Sequence, residues 1–237
     1  MAAPSFSVPV ARASGEARVA YLRRVLLLTF AGLSIASVTG LLGMVALMTT
    51  PALLSGYAPM IIVLGSWAIT NFVARPMVFG AQKWPGFILG TVANGIALSF
   101  ILTIAALVSM ADFGNPFGLI GLALGLTAAS GTGLAAFAFT QKRDFSMIGA
   151  FLSAMFIPML VLMAVGVFFP AFLGGTLGLV ISAVFVVISA MGLLYQLNSV
   201  IHDFNTDMHL EGAYTITIGV LVLFWNILSL LIRLRRN

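Results

Sequence analysis

The sequence predicts an all-α polytopic membrane protein, a bundle of seven transmembrane helices, and three observations carry that prediction. Charged residues make up 7% of the 237-residue chain and hydrophobic ones 61%. A soluble domain carries about 25% charge, so a surface this poor in charge must face lipid. The apolar residues collect into seven runs, each near the roughly 20 residues that cross a hydrocarbon core as a helix. The runs lack the apolar–polar alternation of barrel strands, and an open backbone in lipid would leave polar groups unpaired, so the spans are helices.

In chain order, residues 1–24 read as a polar, disordered cytoplasmic tail with Pro4, Pro9, Ser14, Gly15 and four arginines, and residues 25–237 as the transmembrane domain. The stretch "LRRVLLL" has the look of a secretory or twin-arginine signal. The apolar run behind it extends from Val25 to Met48, too long for a signal core and without a small-residue cleavage site after it, so a retained first span is expected. Six more follow near Tyr57–Val73, Phe87–Ala111, Phe117–Thr140, Phe145–Phe169, Phe172–Ile201 and Gly212–Leu234. The second is the shortest, and Arg75 or Pro76 marks its end. Breaks fall at Pro51, Pro59, Pro76, Pro85, "FGNPFG" (113–118), Pro170 and the Gly174–Gly175 pair, residues that punctuate helices.

Lysine and arginine set the orientation. With the N-terminus inside, Arg12, Arg18, Arg23, Arg24, Arg75, Lys83, Lys142 and Arg143 fall on the cytoplasmic side and Arg233, Arg235 and Arg236 on the other, eight against three. The tail "RLRRN" departs from the rule if all seven runs cross; a re-entrant segment would bring it back inside. The pI of about 10.3 reads as topology signals and headgroup anchors rather than a nucleic-acid surface. With no cysteine there is no disulfide or thiol chemistry.

Small residues are dense at 121–139, where Gly121, Gly125, Ala129 and Gly133 share one helix face. That spacing lets backbones approach closely and predicts tight helix packing there; a pore lining is the alternative.

Catalytic and cofactor templates are missing: the chain has no Walker loop, HExxH or GxSxG, so neither an enzyme nor a cofactor is expected. His202 and His209 lie seven apart with Asp203, Asp207 and Glu211 nearby, a spacing that metals use, but the segment reads as a solvated loop. The Gly131–Gly133 pair lies inside a span and carries no nucleotide reading.

Two stretches do resemble a family. "TQKRDFSMIGAFL" (140–152) is similar to the junction of the fourth and fifth spans of the Bax inhibitor-1 (TMBIM) family. "ISAVFVVISAMGLLYQLNSVIH" followed by "FWNILSLLI" is similar to its sixth and seventh spans, most of all in the bacterial YccA-like branch. The resemblance implies a seven-helix bundle with the last helix central. In the calcium-leak members it implies a pair of buried aspartates on the sixth and seventh spans that act as a pH-sensitive gate. Carried over, those positions fall on Gln196 and Asn226, neither of them an acid, and the gating arginine of the second span falls on Arg75. Two carboxylates held close titrate in coupled steps; amides keep the shape and hydrogen-bonding capacity but cannot titrate. If the last two spans pair at equal depth, the turn between them lies near Leu210–Gly212, with the sixth helix running several residues past Ile201. Gln196 and Asn226 then meet; the alternative is that each faces a different neighbour.

The YccA-like branch implies an inner-membrane protein that associates with a membrane-anchored protease of the FtsH type, and the N-terminal tail would give such a protease a grip. The alternative is a passive leak path for calcium or another cation, lined by residues such as Asn71, Asn94, Thr103, Thr127, Asn198 and Asn226. A proton-coupled transporter would need an ionisable residue at mid-membrane depth, and every charge here falls in a tail, a loop or a span end.

Overall fold

The computed structural model describes residues 8–140, 145–168 and 174–236. Seven long helices organise them: α1 (Gly15–Thr49), α2 (Ala58–Val78), α3 (Lys83–Phe113), α4 (Gly118–Thr140), α5 (Ser146–Phe168), α6 (Gly175–His202) and α7 (His209–Arg236). Among the described residues six helices are long and apolar enough to cross a membrane, and α5 adds a further apolar one. Phe30 and Leu42 are 73% and 67% exposed, an outward apolar face that only lipid would cover. The chain is a helical, multi-pass membrane protein.

The last helix is central. It packs against α1, α3, α4 and α6 and touches the end of α2. Half of the spanning window of α3 and of α7 is buried (50%), against 22–28% in the other four qualifying helices. The α1 contribution is a stripe at helical spacing, Tyr21, Val25, Thr29, Gly32, Ala36, Gly40, Met44 and Leu47, one face of a 3.6-residue period.

Helix ends follow local chemistry. Ser14 caps α1, its Oγ accepting from the Ala17 amide at 3.4 Å with Glu16 in the first turn; the helix therefore starts ten residues before the apolar run. Residues 8–24, expected as tail, are accordingly built into the fold. Val10 is fully buried, and the Val10 amide donates to the Phe204 carbonyl at 2.9 Å while the Thr206 amide donates to that of Val8 at 3.0 Å. Residues 1–7 of the expected tail lie outside the described residues. At the other end of the bundle, Gly114 takes a left-handed φ of 64° to close α3, and the Ser109 hydroxyl bonds the Asn115 carbonyl and the Leu119 amide across the turn into α4.

The close helix approach expected within 121–139 is found elsewhere. Gly121, Gly125 and Gly133 have open space where a Cβ would stand and face outward with Ala129. The near-contact belongs to α1 and α3, where a Cβ on Gly95 would lie 2.7 Å from the Ala36 carbonyl oxygen and one on Gly43 would lie 2.7 Å from Ser99. Hydropathy marks a small-residue stripe without saying which side of its helix meets a neighbour.

The two ends of the bundle are fixed by contacts. Pro9 bridges to Asn205, and Phe79 packs edge-on against Phe204, so the start of α1, the end of α2 and the α6–α7 turn share one end. Arg235 stacks 4.7 Å over the Phe113 ring at the opposite end. The described N-terminal residues and the "RLRR" segment are therefore at opposite ends, as an odd number of crossings requires.

Candidate functional site

The polar groups of the bundle gather at the end that carries the N-terminal segment, and α2 starts the construction. Pro76 has no N–H to give the Phe72 carbonyl, and its ring crowds that turn. The helix widens over Ile69–Ala74 into a π turn, a feature that often marks functional sites. In that wider turn the Thr70 carbonyl accepts from the Arg75 amide and from the Tyr214 hydroxyl, the latter at 3.0 Å. The Thr70 hydroxyl donates to Ser66 O (2.8 Å) and accepts from Asn94 Nδ2 (2.9 Å), which also reaches Gly90 O (2.8 Å). Glycine lets these parts approach: Tyr214 lies over Gly90, and Gly86 lets α3 close on Ala74 and Val78.

The opposite wall comes from α6. Tyr195, Gln196 and Ser199 face Arg75 and Asn71 across a cavity of about 380 Å³. The structure thus brings Arg75 and Gln196 to one hollow. It does not bring Gln196 to Asn226. The Gln196 Oε1 packs against Gly219 and has no hydrogen-bond partner, while Asn226 Nδ2 donates to Val222 O on its own helix at 2.9 Å. The cause is the turn. Helix α6 stops at His202, where the Asp203 amide bonds Ser199 O, and α7 begins at His209. The turn therefore centres between Asn205 and Thr206 rather than near Leu210–Gly212, and Asn226 lies seven residues beyond Gly219, roughly 10 Å further along the axis at 1.5 Å per residue.

One buried charge lies where the sequence predicts a solvated loop. Glu211 is 2% exposed, in the first turn of α7, and its Oε1 lies 2.6 Å from Lys83 Nζ at the start of α3. Its Oε2 and the neighbouring His209 Nδ1 are buried without partners. An acid in a first helical turn complements the helix dipole, and that signal was legible in "HLEGAY"; the missing information was that α7 starts before Glu211. Among the described residues no group of three histidine or acidic side chains could hold a metal, so His202, His209, Asp203, Asp207 and Glu211 do not assemble as their spacing allowed.

Of the other polar residues within the spans, Asn71 and Asn94 line a second hollow along α2 that shares Thr70, Asn71 and Ile218 with the first. Thr103 and Thr127 donate to their own helix backbones at Ser99 O and Ala123 O, and Asn198 is buried with its Nδ2 unpartnered.

The chain is 30% identical over 113 residues to an uncharacterized protein of Campylobacter jejuni, covering 48% of this chain and 47% of that one. It is 32% identical over 117 residues to an uncharacterized protein of Neisseria meningitidis, covering 49% of each. A third relative, named "Modulator of FtsH protease YccA" in Escherichia coli K12, is 30% identical over 115 residues, 48% of this chain and 50% of that protein. The matches span about half the length of these relatives. Residues 18–237 match the family described as "Inhibitor of apoptosis-promoting Bax1", nearly the whole chain, and the protein belongs to the Bax inhibitor-1 family.

Proposed function

We propose that this chain is an inner-membrane protein that associates with, and modulates, a membrane-anchored protease complex of the FtsH type, with its N-terminal end in the cytoplasm. The observation that carries the reading is the similarity to the E. coli protein whose name states that role; a homologue of the same name pattern is called an inner membrane protein. Two features of the fold support it. The stripe Gly121, Gly125, Ala129 and Gly133 on α4 faces outward and suits close packing by a helix of another membrane protein. The basic residues Arg12, Arg18, Arg23 and Arg24 collect at the end that holds the N-terminal segment, the distribution expected of a cytoplasmic face.

A non-enzymatic role fits the polar site, whose groups are engaged in fastening helices: the Tyr214 hydroxyl, the Thr70 hydroxyl and the Asn94 amide each bond backbone or one another. A calcium path receives less support. Arg75 is the charged residue on the walls of the cavity, no carboxylate stands there among the described residues, and a cation would meet a like charge.

Affinity isolation from native membranes in mild detergent, followed by identification of bound proteins, tests the reading. Recovery of an FtsH-type protease, and altered turnover of its substrates when the chain is removed, is the expected result. Recovery of no protease together with unchanged turnover would refute it.

A further inference from the structure

The cavity beside Arg75 has neighbours along α2. Its walls at Thr70, Asn71 and Ile218 also bound a hollow of about 300 Å³ between α2, α3 and α7. That hollow shares Val63 and Trp225 with a third, of about 520 Å³, which reaches Pro59 and Arg233 at the far end of the bundle. The three follow one another along the seam where α2 stands off α7. From Arg75 to Pro59 the seam is roughly 24 Å long at 1.5 Å per residue, most of a hydrocarbon core of about 30 Å.

Its chemistry changes along its length. At one end stand the Arg75 guanidinium and the hydroxyls of Tyr195 and Ser199. Beyond Asn71 and Asn94 the walls become Trp67, Leu221, Val222 and Trp225. Arg75 is exposed, and among the described residues no carboxylate lies within ion-pair distance of it.

We infer that this seam is a binding site for an anionic phospholipid, with the headgroup phosphate at Arg75 and one acyl chain lying along α2 and α7 past Trp67 and Trp225. The planar guanidinium offers paired donors to phosphate oxygens. The apolar stretch behind it, from Asn71 to Pro59, is roughly 18 Å long at 1.5 Å per residue, the length of an acyl chain in a leaflet of roughly 15 Å. A zwitterionic headgroup fits less well, because no acid stands beside Arg75 to receive its ammonium. A free phosphate would leave the apolar length unfilled, and a hydrated ion would have to shed its water against tryptophan and leucine. The assignment rests on the membrane setting and is independent of any protease partner.

Two of the three tryptophans, Trp67 and Trp225, line the seam, and Trp84 does not. The full chain carrying Trp84→Phe is placed in nanodiscs of phosphatidylcholine that contain increasing fractions of a brominated-chain lipid, either phosphatidylglycerol or phosphatidylcholine, and tryptophan quenching is read. Phosphatidylglycerol is expected to reach half-maximal quenching at about a fivefold lower fraction, the effect of one basic residue on an anionic lipid. Arg75→Gln should remove that preference and Arg75→Lys should retain it. Equal quenching by both lipids in the parent chain would overturn the site, as would a preference that survives Arg75→Gln. Loss of the preference on adding inorganic phosphate would make a free anion the occupant and overturn the lipid assignment.

Discussion

The Tyr214 hydroxyl donates to the Thr70 carbonyl across 3.0 Å and fastens the last helix to the widened turn of the second. The same carbonyl also accepts from the Arg75 amide, so Tyr214→Phe leaves it satisfied. The loss should then be small, about 0.6–1 kcal/mol. Gly90→Ala should cost more, because its Cβ would stand 2.5 Å from the Tyr214 ring and overpacking costs about 1–3 kcal/mol. Thermal unfolding of both variants in one detergent gives the order; a Tyr214→Phe loss larger than that of Gly90→Ala would contradict the geometry.

The Lys83–Glu211 pair is asymmetric, with side chains 40% and 3% exposed. Lys83→Met leaves a buried carboxylate without its cation, whereas Glu211→Gln leaves a lysine that can turn to water. Breaking a buried pair costs about 3–5 kcal/mol, and the exposure of Lys83 reduces this toward the surface value. We expect Lys83→Met to lose about 2 kcal/mol and Glu211→Gln about 1 kcal/mol, measured by denaturation in mixed micelles. Restoration of stability in the double variant Lys83→Met with Glu211→Gln would confirm that the carboxylate is the source.

Glycines on two helices should respond in opposite ways. Gly95→Ala forces a Cβ to 2.7 Å from the Ala36 carbonyl oxygen, while Gly121→Ala and Gly125→Ala meet open space. The first is expected to destabilise the fold by about 1–3 kcal/mol. The others should leave it unchanged or up to about 1 kcal/mol more stable. If α4 packs on a partner helix, Gly121→Ala and Gly125→Ala should weaken co-isolation of that partner without lowering stability.

The two amide positions should behave independently. Asn226 bonds its own helix and lies about 10 Å along the axis from the residue that faces Gln196. Replacing both by aspartate should give the pH profile of tryptophan emission that the two single variants predict by addition. Two coupled steps absent from both single variants would place the positions side by side and contradict the register seen here.

Opposite ends of the bundle should label from opposite sides of the membrane. The chain has no native cysteine, so Ala13→Cys and Arg235→Cys can each be tested with an impermeant thiol reagent on sealed vesicles. Ala13→Cys is expected to react only from the cytoplasmic side and Arg235→Cys only from the other. Labelling of both from one side would refute seven crossings.

What the sequence made legible follows from where its information lies. Transfer of apolar residues to lipid is a property of long runs, so the existence and order of the helices could be read directly. The positions of their ends could not. Helix α1 begins at Gly15 because one serine caps it, and a polar turn with good capping is invisible to hydropathy. The α6–α7 turn runs only from Asp203 to Met208 and is contacted from outside by Pro9 and Phe79, residues far away in sequence. That shift of a few residues moved Asn226 away from Gln196. It also drew Glu211 out of an expected loop and into the core. Family resemblance named Arg75 and Gln196, which line one cavity; it did not name Tyr214 and Thr70, since an aromatic and a threonine in apolar helices look like packing until their partners are seen.

The attachment of residues 8–10 to the α6–α7 turn has a mechanical consequence. Tension applied to the chain ahead of Val8 is borne first by the Val8–Thr206 and Val10–Phe204 backbone bonds and by the burial of Val10. The load reaches the turn between α6 and α7 before it reaches α1. Phe204 is also a wall of the cavity that holds Arg75. A pull on the N-terminal segment would therefore displace one side of that cavity while every membrane-embedded helix was still in place.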